Sequence, residues 1–564
     1  MTRRSLSPIV IGMLLASAGC AHTSNPLPSV KASAHVPVTF IIKVPTAGTT
    51  AASRTPKYIS PATQAIAINK QAFNVTPSSP NCTTQNATLV CTFTVDATTL
   101  GVATFTITTY DMPLTSSGAT QGNQLSTGST TATIFAGQQN VVKATLNGVP
   151  AKVTMNIAST DLTPPIGQTE NAPVTFDVRD ADGYAIVGTY STPLYLQFKG
   201  GYSYGVGFSV NGNLYSSAVN SSSDVVQLQY SGHNVTTTTI VGYFGYPQTQ
   251  FYSATFQPVP GFGTETSIPA PSVGTDVVAT DLGKHVWFTE PSKGDLAVWS
   301  TDSSSLIEIP MPSGGVPAHL TAAAYPYDEV FTTETGVNDF ANVWYYNQMP
   351  NGAPGPAVYE HTLPTANAGS YQVATDSSGA GMVDTEGALG KIAAYTTNGI
   401  IEYPTGAANS SPAGIVWNSA GWYFADTGAN AIGSFSANNN TITEYPLPTS
   451  GAGPTRMAIN EIWDVWFIEP GVSKVGHFTY PTQIQEYPCS GVPVQVVTGQ
   501  FASAVLTASG DIDVYENATG NYVVVHPPAS SAGPIVGMGS RGDGDALLLR
   551  SNGTSTSLQD LYYY

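Results

Sequence analysis

The stretch Val286-Trp287-Phe288-Thr289-Glu290 constrains this chain most, because weakened copies of it recur through the C-terminal half. Val330-Phe331-Thr332-Thr333-Glu334 and Val465-Trp466-Phe467-Ile468-Glu469 repeat it closely. Met382-Val383-Asp384-Thr385-Glu386 and Trp422-Tyr423-Phe424-Ala425-Asp426 repeat it more loosely. Two apolar pentamers without the acid end at Ala508 and Arg550, so successive ends lie 44, 52, 40, 43, 39 and 42 residues apart. A strand-like unit recurring every 40–50 residues or so predicts a β-propeller, and seven copies predict seven blades.

Each unit offers four short runs separated by Gly, Pro, Asn or Ser, enough for one four-stranded blade. The last run of a unit reads Thr443-Glu444-Tyr445-Pro446-Leu447-Pro448, with echoes at Ile401–Pro404 and Gln485–Pro488. Its closing proline suits an outermost strand, since it has no N–H for an inner ladder. The final unit stops after its third run, near Leu558–Tyr564, while a spare fourth run, Thr264–Pro269, precedes the first pentamer. Pairing the two predicts a closed ring without open sheet edges.

Upstream of the array the chain reads as export signal, tether and two further β domains. Arg3 and Arg4 precede the apolar run Ile9–Ala18, which is too short to span a bilayer. Ser17-Ala18-Gly19-Cys20 resembles a bacterial lipobox, which predicts that 1–20 is a lipoprotein-type signal whose Cys20 is lipidated and becomes the mature N-terminus; ordinary signal cleavage is the alternative. Residues 21–34 read as a tether, and the protein is expected to be extracytoplasmic, in the cell envelope or secreted. Cys82 and Cys91 flank an eight-residue run and predict a disulfide, in keeping with export. Cys489 is left over and reads as a buried small apolar side chain.

Residues 35–150 carry β-rich runs at Val36–Val44, Ala65–Ile68, Leu89–Val95, Ala103–Tyr110, Thr131–Phe135 and Asn140–Leu146, which predict a β-sandwich. Residues 151–260 predict a second, immunoglobulin-like sandwich, in which Asp180-Ala181-Asp182-Gly183 reads as a hairpin turn rather than a Ca²⁺ loop. The fold class is therefore all-β: two sandwich domains followed by a seven-bladed propeller over 261–564. Neither sandwich carries a catalytic constellation, and both read as spacers; sugar stacking on tyrosines such as Tyr202 and Tyr204 is the competing idea. With 18 Lys and Arg against 36 Asp and Glu, the chain cannot build the basic stripe that nucleic acid demands. Membrane attachment is expected through a lipid at Cys20 alone, and the protein is expected to be a monomer.

Trp287-Phe288-Thr289-Glu290, Asn430-Ala431-Ile432-Gly433 and Ile442-Thr443-Glu444-Tyr445-Pro446-Leu447-Pro448-Thr449 together resemble the virginiamycin B lyase (streptogramin lyase) family. The resemblance covers about 262–564. It implies a seven-bladed propeller and a Mg²⁺-dependent lyase that opens a cyclic depsipeptide by elimination. In that family the chemistry rests on histidines and glutamates of the last two blades. The matching segments here, Gly491–Val496 and Gly533–Val536, hold neither His nor Glu, and Leu547-Leu548-Leu549-Arg550 lacks the family's last-blade glutamate.

One near-match remains: Pro317-Ala318-His319-Leu320 carries a histidine one place late, which by strand alternation predicts the opposite face. His319 is thus the one weak catalytic candidate. The recurrent acids Glu290, Glu334, Glu386, Asp426 and Glu469 are weak metal candidates if they ring the axis; otherwise they cap blade turns. The favoured function is a non-catalytic module that binds an unidentified ligand or protein partner on a propeller face, without a cofactor. The alternative is a divergent lyase of the streptogramin type, which would require Mg²⁺.

Overall fold

The computed structural model describes residues 35–563 apart from 46–57, 87, 159–161, 163, 165–167, 200–204, 233–236, 246–250, 271–272, 281–283, 324–327, 346–355, 377–380, 397, 420, 461–463, 480–482 and 542–544. The signal, the tether and Cys20 lie outside the described residues, as do Tyr202 and Tyr204. Apart from a 3-10 turn at Pro470–Val472, every described regular element is a β-strand. The chain divides into two compact units, Met1–Val149 and Pro150–Tyr564.

In the first unit, Val36–Pro45 lies between Thr88–Ala97 and Asn140–Val142, antiparallel to the one and parallel to the other. Its alternation fits that place: Val38, Phe40, Ile42 and Val44 are buried while Pro37, Ile41 and Lys43 face solvent. A second sheet built on Gly101–Tyr110 and Gln124–Ile134 closes the core, with Phe40 and Phe105 ring centroids 5.2 Å apart. Cys82 and Cys91 stand directly opposite in neighbouring strands and form the expected disulfide.

The second unit begins with two sheets over 152–256. Glu170–Arg179 pairs with Lys152–Ile157 and Val226–Tyr230, and Val206–Val210 adds to the latter; Thr238–Phe244 joins Thr189–Phe198 to Tyr252–Phe256. The Asp180 turn forms as expected, Asp180 Oδ1 accepting from the N–H groups of Asp182 at 3.1 Å and Tyr184 at 2.8 Å. Gly183 there has φ +84°, a conformation glycine adopts without strain.

From 261 onward the chain forms a β-propeller of successive antiparallel sheets, numbered 1 to 7 here in chain order of their innermost strands. Sheet 1 runs Val277–Thr280, His285–Glu290, Asp295–Ser300 and Ser305–Pro310. Sheets 2 to 6 repeat that meander from innermost strands Val316–Ala322, Ser370–Thr375, Pro412–Asn418, Met457–Ile459 and Pro493–Thr498. The recurrent pentamers are the second strands. They are buried on both faces because each sheet packs on two neighbours: Trp287 faces Val330 of sheet 2, and Phe288 faces Leu547 and Leu549 of sheet 7. This is why they read as continuous apolar runs rather than alternating ones.

Sheet 7 takes Ile535–Ser540, Ala546–Ser551 and Thr556–Tyr562 from the end of the chain and its outermost strand from before sheet 1. Thr266, Ser267 and Ile268 pair with Leu558, Ser557 and Thr556, as the spare run predicts. The innermost strands touch in succession, and the last touches the first. The outermost strands of sheets 1, 3, 4 and 5 end in Pro310, Pro404, Pro446 and Pro488.

Candidate functional site

The innermost strands enclose an axial cavity of about 440 Å³, lined mostly by Val, Ala, Leu, Ile and Met. Polar groups stand at both ends, Thr280, Asp376 and Ser540 among them at one, and Asp276, Arg456 and Gln495 at the other, where Asp276 leads into sheet 1. Asp276 is buried, and three residues from two sheets converge on it. Arg456, directly before the innermost strand of sheet 5, places Nη2 2.8 Å from Oδ1 and donates from Nη1 to Oδ2 at 3.0 Å. From sheet 2, Leu320 N–H donates to Oδ2 at 3.1 Å, and His319 Nδ1 lies 3.1 Å from the same oxygen. Burial alone would raise the Asp276 carboxyl, but the Arg456 charge and the His319 and Arg456 hydrogen bonds outweigh it and hold the group well below the usual carboxylate range.

His319 reaches Asp276 because the innermost strand of sheet 2 is bulged. Between Pro317 and Leu320 the register slips against Glu334 and Thr332, so that Ala318 and His319 together oppose Thr333 alone. A bulge interrupts side-chain alternation and re-aims its residues, so the parity expected from simple strand geometry fails here. The imidazole lies over Tyr371, ring centroids 4.3 Å apart. Similar slips occur at Ser370–Val373, Pro412–Ile415, Pro493–Gln495 and Ile535–Gly537. From the sheet 6 bulge, Gln495 donates to Thr275 O at 2.5 Å and accepts from Met538 N–H at 2.6 Å, tying three sheets together.

Mg²⁺ does not fit this mouth. The carboxylate at this end, Asp276, already has both oxygens on the Arg456 guanidinium, with an imidazole beside them. A divalent cation needs free anionic oxygens.

The recurrent acids lie elsewhere. Glu290, Glu334, Glu386, Asp426 and Glu469 are all buried, and none of them lines the axial cavity. Asp426 caps backbone, accepting from Ser411 N–H at 2.8 Å and Ala429 N–H at 2.9 Å. Glu290 pairs with Lys293 inside sheet 1 and Glu334 accepts from Ser313 of the preceding linker, while Glu386 and Glu469 stand beside clasps that join consecutive sheets. In sheet 5, Lys474 Nζ lies 2.7 Å from Glu486 Oε2, and Thr449 of the preceding linker donates to Glu486 through N–H at 2.9 Å and through its hydroxyl. Lys391, Glu402 and Thr365 repeat the arrangement in sheet 3. Burial first, then the second carboxylate, pushes Glu386 and Glu469 up to about 7. Glu334 also rises to about 7 by burial.

His285 and His477 each meet an aspartate inside a sheet contact: His285 Nδ1 is 2.6 Å from Asp328 and His477 Nε2 is 3.3 Å from Asp464. Burial lowers His477, which stacks on Trp466 at 4.5 Å. Cys489 is half-buried, and its sulfur accepts a hydrogen bond from Tyr515 at 3.3 Å; it is more polar in setting than expected. Sequence reading passed over Asp276, Arg456 and Gln495. The available signal was Arg456, one of 18 basic residues in the chain, standing directly before an innermost apolar run.

The virginiamycin B lyase family model matches residues 263–503. This part of the chain is a virginiamycin B lyase-like segment. Among solved structures, a streptogramin B lyase is 21% identical, with 53% of this chain and 98% of that chain covered at a TM-score of 0.45. The virginiamycin B lyase of Staphylococcus aureus is also 21% identical, covering 54% of this chain and 100% of that one at 0.45. The WD40 repeats of RRP9 are 10% identical, covering 53% and 97% at 0.41. Among curated proteins, none matches the chain in sequence.

Proposed function

We propose that the virginiamycin B lyase-like segment is a seven-bladed propeller that binds a ligand or protein partner without transforming it. The observation that carries this reading is the self-pairing of the axial mouth: Asp276 is spent on Arg456, His319 and Leu320 N–H. A lyase acting by elimination needs a free base and, in this family, carboxylates for Mg²⁺; among the described residues the Asp276 end offers an imidazole but no carboxylate left over from Arg456. Residues 35–150 and 151–260 are read as two sandwich domains, the second immunoglobulin-like, that space the propeller from a lipid anchor at Cys20 on an extracytoplasmic membrane surface. In this reading the protein is a monomer that needs no cofactor.

The test of catalysis is chromatographic, because ring opening by elimination leaves the mass of the depsipeptide unchanged. Purified protein incubated with a streptogramin B and Mg²⁺ is expected to leave its retention time unaltered. Accumulation of the linear isomer would overturn the reading. Palmitate labelling of the expressed protein, lost in Cys20→Ala, tests the anchor; equal labelling of both would reject it.

A further inference from the structure

We propose that the joint where sheet 7 closes on sheet 1 is a binding site for a neutral sugar ring, a pyranose. At four other joints the corresponding space is filled from within. The outermost strands of sheets 2 to 5 carry His361, Tyr403, Tyr445 and Tyr487, and each packs on a ring from the third strand of the next sheet. Ring centroids lie 5.0 Å apart for His361 and Tyr395, 5.1 Å for Tyr403 and Phe435, 5.3 Å for Tyr445 and Phe478, and 6.2 Å for Tyr487 and Tyr515. Sheet 1 fills the place with the buried Ile309.

The outermost strand of sheet 7 brings a threonine instead. Its place is fixed by the glutamate before it. Glu360, Glu402 and Glu486 directly precede His361, Tyr403 and Tyr487, and each accepts from the preceding linker, from Ser313, Thr365 and Thr449 in turn. Glu265 likewise accepts from Ser530 of the linker before sheet 7, and the residue after it is Thr266. On the other side of the joint, Trp299 stands opposite Val286, the first residue of its pentamer. Phe435 stands opposite Trp422 and Phe478 opposite Val465 in the same way. The ring of the next sheet is therefore present, and its partner ring is missing. Thr266 and Trp299 both line the cavity of about 440 Å³ that is left.

The walls select the ligand. A cavity of this size falls among small-molecule sites, which span ~300–1,000 Å³. Thr264, Thr266, Thr301 and Ser304 are exposed and offer hydroxyls that both donate and accept. The charged groups among the described lining residues, Arg541 and Asp560, pair at 2.7 Å and leave no net charge to draw an ion. Each is 26% exposed, so both still present polar atoms to a ligand hydroxyl. Val286, Leu547 and Leu558 supply an apolar floor for the C–H face of a pyranose. A purely aromatic ligand would cover the hydroxyls and the ion pair without pairing them, which costs free energy. Of the described lining residues, Ala279 alone is shared with the axial cavity, so the site does not depend on the Asp276 mouth.

Saturation-transfer difference NMR on the purified protein tests the site. The probes are the methyl glycosides of glucose, galactose, mannose and N-acetylglucosamine, with p-cresol as the aromatic comparison. Transfer to the ring protons of at least one glycoside is expected, and its loss in Thr266→Tyr, which restores the ring that sheets 3 to 5 carry. Thr266 is exposed, so the tyrosine enters open space rather than a packed core. Asp560→Ala should weaken the same signals and keeps the test open if Thr266→Tyr does not fold. Silence from all four glycosides on the native protein would overturn the proposal, as would transfer to p-cresol alone. So would glycoside signals undiminished in either folded variant.

Discussion

Arg456 and Asp276 are 180 residues apart in sequence, yet two guanidinium nitrogens meet two carboxylate oxygens at 2.8 and 3.0 Å. The pair joins sheet 5 to sheet 1 across one end of the axial cavity. Removing one member of a buried ion pair leaves the other charge uncompensated, at a cost of about 3–5 kcal/mol. Arg456→Met is therefore expected to destabilise the propeller by about 3 kcal/mol in urea unfolding followed by fluorescence of the buried Trp287 and Trp466. Asp276→Leu combined with Arg456→Met should recover most of that loss. A double variant less stable than Arg456→Met alone would show that the pair is not the relevant partner.

Acid should stabilise the propeller. Glu334, Glu386 and Glu469 are raised from 4.5 to about 7, so the folded state holds their protons more tightly than the unfolded chain does. Their contribution is fully present below pH 4.5, falls as pH rises, and is lost through pH 7. Glu402 and Glu486 are lowered, burial notwithstanding, by their lysine and threonine partners, and act oppositely at pH below their ordinary range. The melting temperature is thus expected to be higher at pH 5.5 than at pH 8, and Glu386→Gln with Glu469→Gln should flatten the difference. A melting temperature that rises over this interval would contradict the assignment.

Within the sheet 5 clasp, Lys474 neutralises Glu486 and stands near Glu469. Lys474→Ala leaves two mostly buried carboxyls facing each other and is expected to cost about 1–3 kcal/mol. Lys474→Met keeps the stem and separates the charge from the packing contribution. Equal stability of both variants and the native protein by urea titration would remove the clasp from the account.

Reducing the Cys82–Cys91 disulfide should loosen the first unit. The bridge closes a short loop, for which chain entropy gives about 2–3 kcal/mol. Amide exchange in Thr88–Ala97 is expected to accelerate after reduction. Unchanged protection there would show that strand pairing alone fixes the segment.

The ring was legible because each copy of the pentamer must be buried on two faces, which forces a run such as Val286-Trp287-Phe288 into the same apolar pattern every time. The spare run Thr264–Pro269 was legible because an unpaired outer strand needs a partner. The mouth was not. His319 meets Asp276 through a bulge, and a bulge leaves no mark in a sequence of strand-forming residues. Arg456 and Asp276 become neighbours through ring closure alone. The acids repeated visibly, but whether they faced the axis or a neighbouring sheet depended on lysines and threonines tens of residues away, such as Thr365 for Glu402.

The most direct test of the central claim is a chromatographic time course of a streptogramin B with purified protein and Mg²⁺, run beside His319→Ala. The account predicts no linear product from either protein, since Asp276, the carboxylate beside His319, has both oxygens on Arg456 and none left for Mg²⁺. Mg²⁺-dependent ring opening by the native protein that disappears in His319→Ala would contradict it.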